Sequence, residues 1–249
     1  MAYHAYRNGY NTLPNMRKLQ LNEVFEEDNY DSILIQKEKK EALKNQKCFF
    51  EYNNPEEFYE VCKKFIIENY PGKIYGNTYK DVVKELNEDF LIHRIDGDED
   101  YLSSAHVCFA SHWRPEEKIG KSFDEIHQPV PMNLKNSKKM VEAMVYGGIF
   151  ERFVWSVIYE KRYNFHPRLP YQRFKKEQPE VNVKIERQVT VGFPEYGFCL
   201  FILRQYLIEE KDLNKNALSD SIKNMTPEQK KYKSLENYED LIDYLDCKF

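Results

Sequence analysis

No CxxC pair occurs among the five cysteines of this 249-residue sequence, and their number is odd. A disulfide framework or a zinc ribbon is therefore not expected, and a reducing compartment, the cytoplasm, fits best. Long hydrophobic runs are missing too. The longest, residues 198–203, falls far short of the ~18 residues of a membrane-spanning helix. The N-terminal residues 1–16 have no apolar stretch of signal-peptide type, so no secretory signal is expected. There is no excess of basic charge: the net charge is −4, which argues against a nucleic-acid binder by bulk charge. Repeats, low-complexity tracts, GxGxxG, a P-loop, GxSxG and HExxH are also absent, so nucleotide folds, serine hydrolases and zinc catalysis have no positive support.

What is there is a highly charged globular chain with 31% charged and 41% hydrophobic residues, enough for a core of its own. Residues 29–46 read as an amphipathic helix. Asn54-Pro55-Glu56-Glu57 reads as a helix start with Asn54 as the cap. A further helix is expected over residues 79–93, and another over 134–150. Residues 102–110 and 153–159 read as strands. Residues 181–191 alternate cleanly, and 198–208 follow across a Gly192–Gly197 turn, which predicts a hairpin. The C-terminal stretch from Asn214 reads as helical. Residues 1–95 are thus expected to be mostly helical, 97–210 sheet-rich and 214–249 helical. Together they form one α+β domain with an antiparallel sheet in the middle.

The alternation has one fault. Arg187 falls on the apolar face between Ile185 and Val189, and Arg204 falls in register with Phe198, Leu200 and Ile202. An odd-sum hairpin register puts both guanidinium groups on one side of the sheet. A buried Arg needs an anion, and two sources stay open: a ligand carboxylate or phosphate, or an internal Glu or Asp. His127 stands before a stiff Pro129-Val130-Pro131 stop. That placement suits a fixed axial ligand, although a lone histidine there is more often a residue at a helix C-terminus near the dipole.

Several short motifs then occur in order: CFASHW (108–113), EKIG (117–120), IHQPVP (126–131), RFVWS (152–156), IERQ (185–188), FILRQY (201–206) and YKSL (232–235), with LNEDF (86–90) before them. This series resembles the heme-dependent oxidative N-demethylase-like family, with a weaker similarity from Leu13 and Pro14 onward. The resemblance implies a PAS-like heme domain wrapped by helices. It further implies oxidation of a small methylated amine with release of formaldehyde. The cofactors implied are heme b and O2, with electrons from a separate flavin and iron–sulfur reductase that draws on NAD(P)H. On this reading His127 is the iron ligand, Arg187 and Arg204 meet the heme propionates, and Trp113 and Trp155 flank the porphyrin. Glu186 and Tyr206 become candidates for holding the substrate ammonium. The sequence departs from the family pattern at Val154, where the pattern has Asn, and at Ala110 and His112 in its Pro-Ser-Gly-Trp element. Two alternatives remain: a non-catalytic heme-PAS sensor or carrier, and a relative that has lost heme and binds another small molecule.

Overall fold

A computed structural model describes residues 2–10, 15–27, 32–131, 137–177, 179–235 and 238–247. The similarity near Leu13 and Pro14, and the start of the helix expected from residue 134, lie outside them. A 3-10 turn (Ala2–Asn8) leads to β1 (Arg17–Lys18) and a second such turn (Leu21–Glu23). Then come α1 (Ser32–Asn45), β2 (Phe49–Glu51), α2 (Glu56–Asn69), α3 (Tyr79–Glu85), β3 (Asp89–Asp96) and β4 (Glu99–His106). After a turn at Pro115–Glu117 follow α4 (Phe123–His127), α5 (Ser137–Tyr146), β5 (Ile149–Ile158), β6 (Asn182–Phe193) and β7 (Phe198–Ile208). The chain closes with α6 (Lys215–Lys223), α7 (Pro227–Tyr232) and α8 (Tyr238–Leu245). Among the described residues the strands make one antiparallel sheet, in the order β1-β5-β6-β7-β3-β4-β2. The α+β expectation holds. No described helix is long and apolar enough to cross a membrane.

The helix expected over residues 79–93 ends at Glu85, and a strand takes its second half. Leu86 is extended, with φ −91° and ψ 156°. Phe90, Leu91, Ile92 and His93 run down a strand held on both sides by β4 and β7. Such a strand buries side chains on both faces, so its sequence is an apolar run without alternation and cannot be told from a helix by period. The region before residue 95 therefore holds three strands as well as helices. The Asn54 cap is not made either: α2 starts after Pro55 without a side-chain cap, because Asn54 Oδ1 accepts from Ser103 Oγ at 2.8 Å.

One face of the sheet is closed along its length. Val189, Val191, Leu200 and Ile202 pack against α2 and α3, while Val183, Ile185, Trp155 and Tyr206 pack against the N-terminal turn, α6 and α8. The opposite face is covered at its two ends. At one end α5 sets Met144 and Val145 against Cys199 and Phe201. It can come this close because Gly192 has no side chain: a Cβ there would stand 2.3 Å from the Val145 carbonyl oxygen. At the other end Phe109, Tyr163 and Phe165 cover Ile158 and Leu207. The middle of this face is left open.

Arg187 and Arg204 are direct cross-strand partners, as the odd register sum requires. Both point into the closed face, where they are satisfied internally. Arg187 Nε donates to Glu151 Oε2 at 2.7 Å and Nη1 to the Val24 carbonyl at 2.8 Å. Arg204 Nη1 donates to Glu88 Oε1 at 2.7 Å. Of the two anion sources left open for these arginines, the structure shows internal carboxylates, from β5 and from the α3–β3 connection. Replacing Arg204 by Leu strands the Glu88 carboxylate, which is 1% exposed. Urea unfolding of Arg204→Leu is expected to show a loss of about 3–5 kcal/mol; an unchanged midpoint would refute the pairing.

Candidate functional site

The open middle of the sheet is the floor of a cavity of about 340 Å³, within the ~300–1,000 Å³ usual for small-molecule sites. Strand register decides which side chains form that floor. Val154 stands opposite Glu186, Ser156 opposite Lys184, and Arg152 opposite Gln188. Leu203 continues the row from Gln188, and Leu91 continues it from Phe201. Leu91, Val154 and Phe201 are only half-buried although they sit on interior strands. The walls are α4 with Pro129 and Val130, the segment from Ser111 to Trp113, and residues 232–234 at the end of α7.

α4 is short, yet it is firmly placed. Ser122 and Glu125 make a reciprocal capping box at its N-terminus. Asp100 Oδ2 accepts from the Phe123 amide at 2.8 Å and from His93 Nε2 at 2.6 Å. Burial pushes the Asp100 carboxyl up, but these two bonds outweigh it and hold the group below its ordinary value. The Phe123 ring lies 4.0 Å from that of His127.

His127 ends the helix facing the cavity, and its Nδ1 lies 2.8 Å from the Phe123 carbonyl. A carbonyl can only accept, so Nδ1 carries the proton and Nε2 keeps its lone pair. Burial foremost, with Arg152 and other nearby cations adding, pushes this imidazole down to about 4, against the raising effect of the Phe123 bond. A neutral ring with one nitrogen anchored to the backbone and the other free is the form that ligates a metal.

The cavity carries more positive than negative charge. Lys184 donates to the carbonyls of Phe109, at 3.0 Å, and Tyr163. Lys233 donates to Ser156 Oγ at 3.3 Å and lies over the Tyr10 ring. Burial pushes both lysines down to about 8, although Glu186 pulls the other way. Burial likewise lowers Arg152, with Glu186 opposing. Glu186 accepts from Gln188 Nε2 at 2.6 Å and from Gln205 Nε2 at 2.9 Å, so its carboxylate is fixed in place.

Of the residues expected from the sequence, the structure gathers His127, Trp113, Trp155 and Glu186 around this cavity. Trp155 only borders it, since its ring belongs to the neighbouring core and its Nε1 donates to the Gly9 carbonyl at 3.3 Å. Arg187, Arg204 and Tyr206 are not in the lining. Tyr206 stands opposite Ile185 on the closed face, and its hydroxyl donates to Glu26. Among the described residues the lysines and arginines that line the cavity are Lys118, Arg152, Lys184 and Lys233, and the sequence reading gave none of them a role there. Arg152 and Lys233 sit inside two of the motifs. Lys184, Glu186 and Gln188 form a polar row that passes for a solvated face until β6 is known to be central.

Histidine 15N and 13C NMR of the isolated chain is expected to show His127 as the neutral Nδ1–H tautomer down to about pH 4; an Nε2–H signal would refute the arrangement. No curated protein matches the chain. The family described as haem-dependent oxidative N-demethylase, alpha subunit-like, matches residues 73–242. That span is well over half of the sequence and takes in the sheet floor, α4 and residues 232–234, so the chain belongs to the haem-dependent oxidative N-demethylase alpha subunit-like family.

Proposed function

We propose that the protein binds heme b in the sheet-floor cavity and serves as the oxygenase-type component of an oxidative N-demethylase. Its substrate on this reading is a small methylated amine, and formaldehyde is released. The observation that carries the proposal is His127, neutral and backbone-anchored, with a free Nε2 in a cavity whose interior-strand floor is half-exposed. The donor set fits heme: one imidazole for the iron, apolar Leu91, Val154 and Phe201 for the porphyrin, and cations for two propionates. The PAS-like reading of the sheet belongs to the same proposal.

Bound heme would supply the O2 chemistry, with electrons from a separate flavin and iron–sulfur reductase drawing on NAD(P)H. The rest falls to this chain's side chains. His127 Nε2 holds the iron. Arg152 and Lys233 replace Arg187 and Arg204 as the propionate partners, because the other lining cations, Lys184 and Lys118, already donate to backbone carbonyls. Trp113 adds an aromatic wall. Two propionates would offset Arg152 and Lys233, and Glu186, the one carboxylate among the described lining residues, faces Lys184 and is the group a substrate ammonium would meet. Its two amide donors hold the carboxylate still for a substrate ammonium. Val154, where the family pattern has Asn, removes an amide from the floor and favours the second reading, a heme carrier or sensor without turnover.

Hemin titration is expected to give a saturable Soret band at one equivalent, lost or shifted in His127→Ala. Lys233→Met should weaken binding by about tenfold, or ~1.4 kcal/mol. The Lys233 ammonium of the unliganded cavity titrates at about 8. A propionate favours its charged form, so the affinity this pair adds is present below pH 8 and falls as pH rises beyond it. An unchanged spectrum in His127→Ala refutes the ligand assignment. Amine-dependent NAD(P)H consumption with an added reductase separates the demethylase from the carrier.

A further inference from the structure

Three adjacent strands, β3, β4 and β2, end together on the side of the sheet away from the β3–β4 turn. There, chemistry-bearing side chains from four places in the sequence meet. Asp89 opens β3, His106 closes β4, Cys108 follows two residues later, and Cys48 immediately precedes β2. Register brings them together: His106 pairs with both Phe90 and Phe49, and the Val107 amide donates to the Cys48 carbonyl at 2.8 Å. The ligand atoms of Asp89, His106 and Cys108 lie within 4.8 Å of one another. Cys48 and Cys108 pack in the same buried cluster, and the Cys48 thiol donates to the Gln46 carbonyl at 3.9 Å. All four residues are buried, none more than 5% exposed.

The cluster is incomplete as a hydrogen-bonded network. His106 Nδ1 is buried and has no hydrogen-bond partner. The nearest group to its Nε2 is the Cys108 sulfur, at 4.0 Å. The imidazole thus spends neither nitrogen on an oxygen or nitrogen partner, although it is 1% exposed. A metal beside Cys108 would take the lone pair of Nε2, the nitrogen turned to that sulfur, with the proton on Nδ1. Asp89 accepts from the Cys108 and Phe109 amides at 2.7 and 2.9 Å, and a carboxylate has about four lone-pair positions, so it can still ligate.

We propose that Cys48, Asp89, His106 and Cys108 form a structural site for a divalent metal of the zinc class. Two sulfurs, one nitrogen and one oxygen suit tetrahedral Zn²⁺. With Zn–S near 2.3 Å and Zn–N near 2.0 Å, tetrahedral geometry sets S and N ~3.5 Å apart. The 4.0 Å separation of Cys108 and His106 then closes by about half an ångström on binding. Binding releases the two thiol protons to solvent and forms two metal–thiolate bonds. The charges then balance. Two thiolates and one carboxylate face a dication and the buried Lys39 ammonium, which donates to the carbonyls of Val83, Leu86 and Glu88. Cys108 lies three residues before Ser111, so the metal would pin the strand end from which the cavity wall at Ser111–Trp113 departs. This site is independent of the heme reading.

The test uses tag-free full-length protein grown with added zinc and desalted without chelator. Elemental analysis should give about one zinc per chain. Zinc K-edge absorption fine structure should show about two sulfurs near 2.3 Å with lighter ligands near 2.0 Å. The Cys48→Ser and His106→Gln variants should lose most of the zinc, and Cys247→Ser, at the exposed thiol, should keep it. A zinc content well below one, a first shell without sulfur, or loss of zinc in Cys247→Ser overturns the site. The fine structure of the unmutated protein decides even if a variant does not fold.

Discussion

Side chains along a strand alternate between two faces, and in β6 the two faces lead to different worlds. Val183, Ile185, Arg187, Val189 and Val191 enter a core closed by helices and the N-terminal turn. Lys184, Glu186 and Gln188 reach a cavity that α5 and the 109–165 contacts cover only at its ends. A shift of one residue would put Arg187 into the cavity and Glu186 into the core, exchanging every role. The buried ion pairs resist such a shift. Arg187 is tied to β5 through Glu151 and to the N-terminal segment through the Glu23 and Val24 carbonyls. These bonds to β5 and to the N-terminal segment thus tie the strand in this register.

The cavity is polar where backbone groups can hold charge and apolar where the sheet floor is open. Carbonyls at Phe109, Tyr163 and Phe123 position Lys184 and His127, and two glutamines position Glu186. Burial makes each charged lysine costly, which is why both titrate near 8 and why an anionic ligand is the natural complement. A site built this way is preorganised, because the polar groups already have their orientation before a ligand arrives.

Much of the fold was legible in the sequence. The β6–β7 hairpin and the α2 helix follow from their periods, and the paired placement of Arg187 and Arg204 follows from an odd register sum. β3 was not legible, because Phe90 to His93 are apolar toward both faces and show no period of two. Of the residues singled out in the sequence, His127, Trp113 and Glu186 line the cavity, His127 having been marked by its place before a proline stop and inside a family motif. Lys184 and Lys233 were missed because a lysine in an isolated segment looks solvated; only its burial beside carbonyls and aromatic rings marks it as part of a site.

The sequence by itself determined the family, the α+β class, the hairpin with its two inward arginines, and a histidine at a helix end. These are properties of local pattern, carried by residues close along the chain. The tertiary structure decided which face of the sheet stays open and which anions meet Arg187 and Arg204. It also decided which cations surround His127, and that Cys48, Asp89, His106 and Cys108 converge. These depend on packing between segments far apart in sequence, 163 residues in the Val24–Arg187 bond, and no local period encodes contacts at that range.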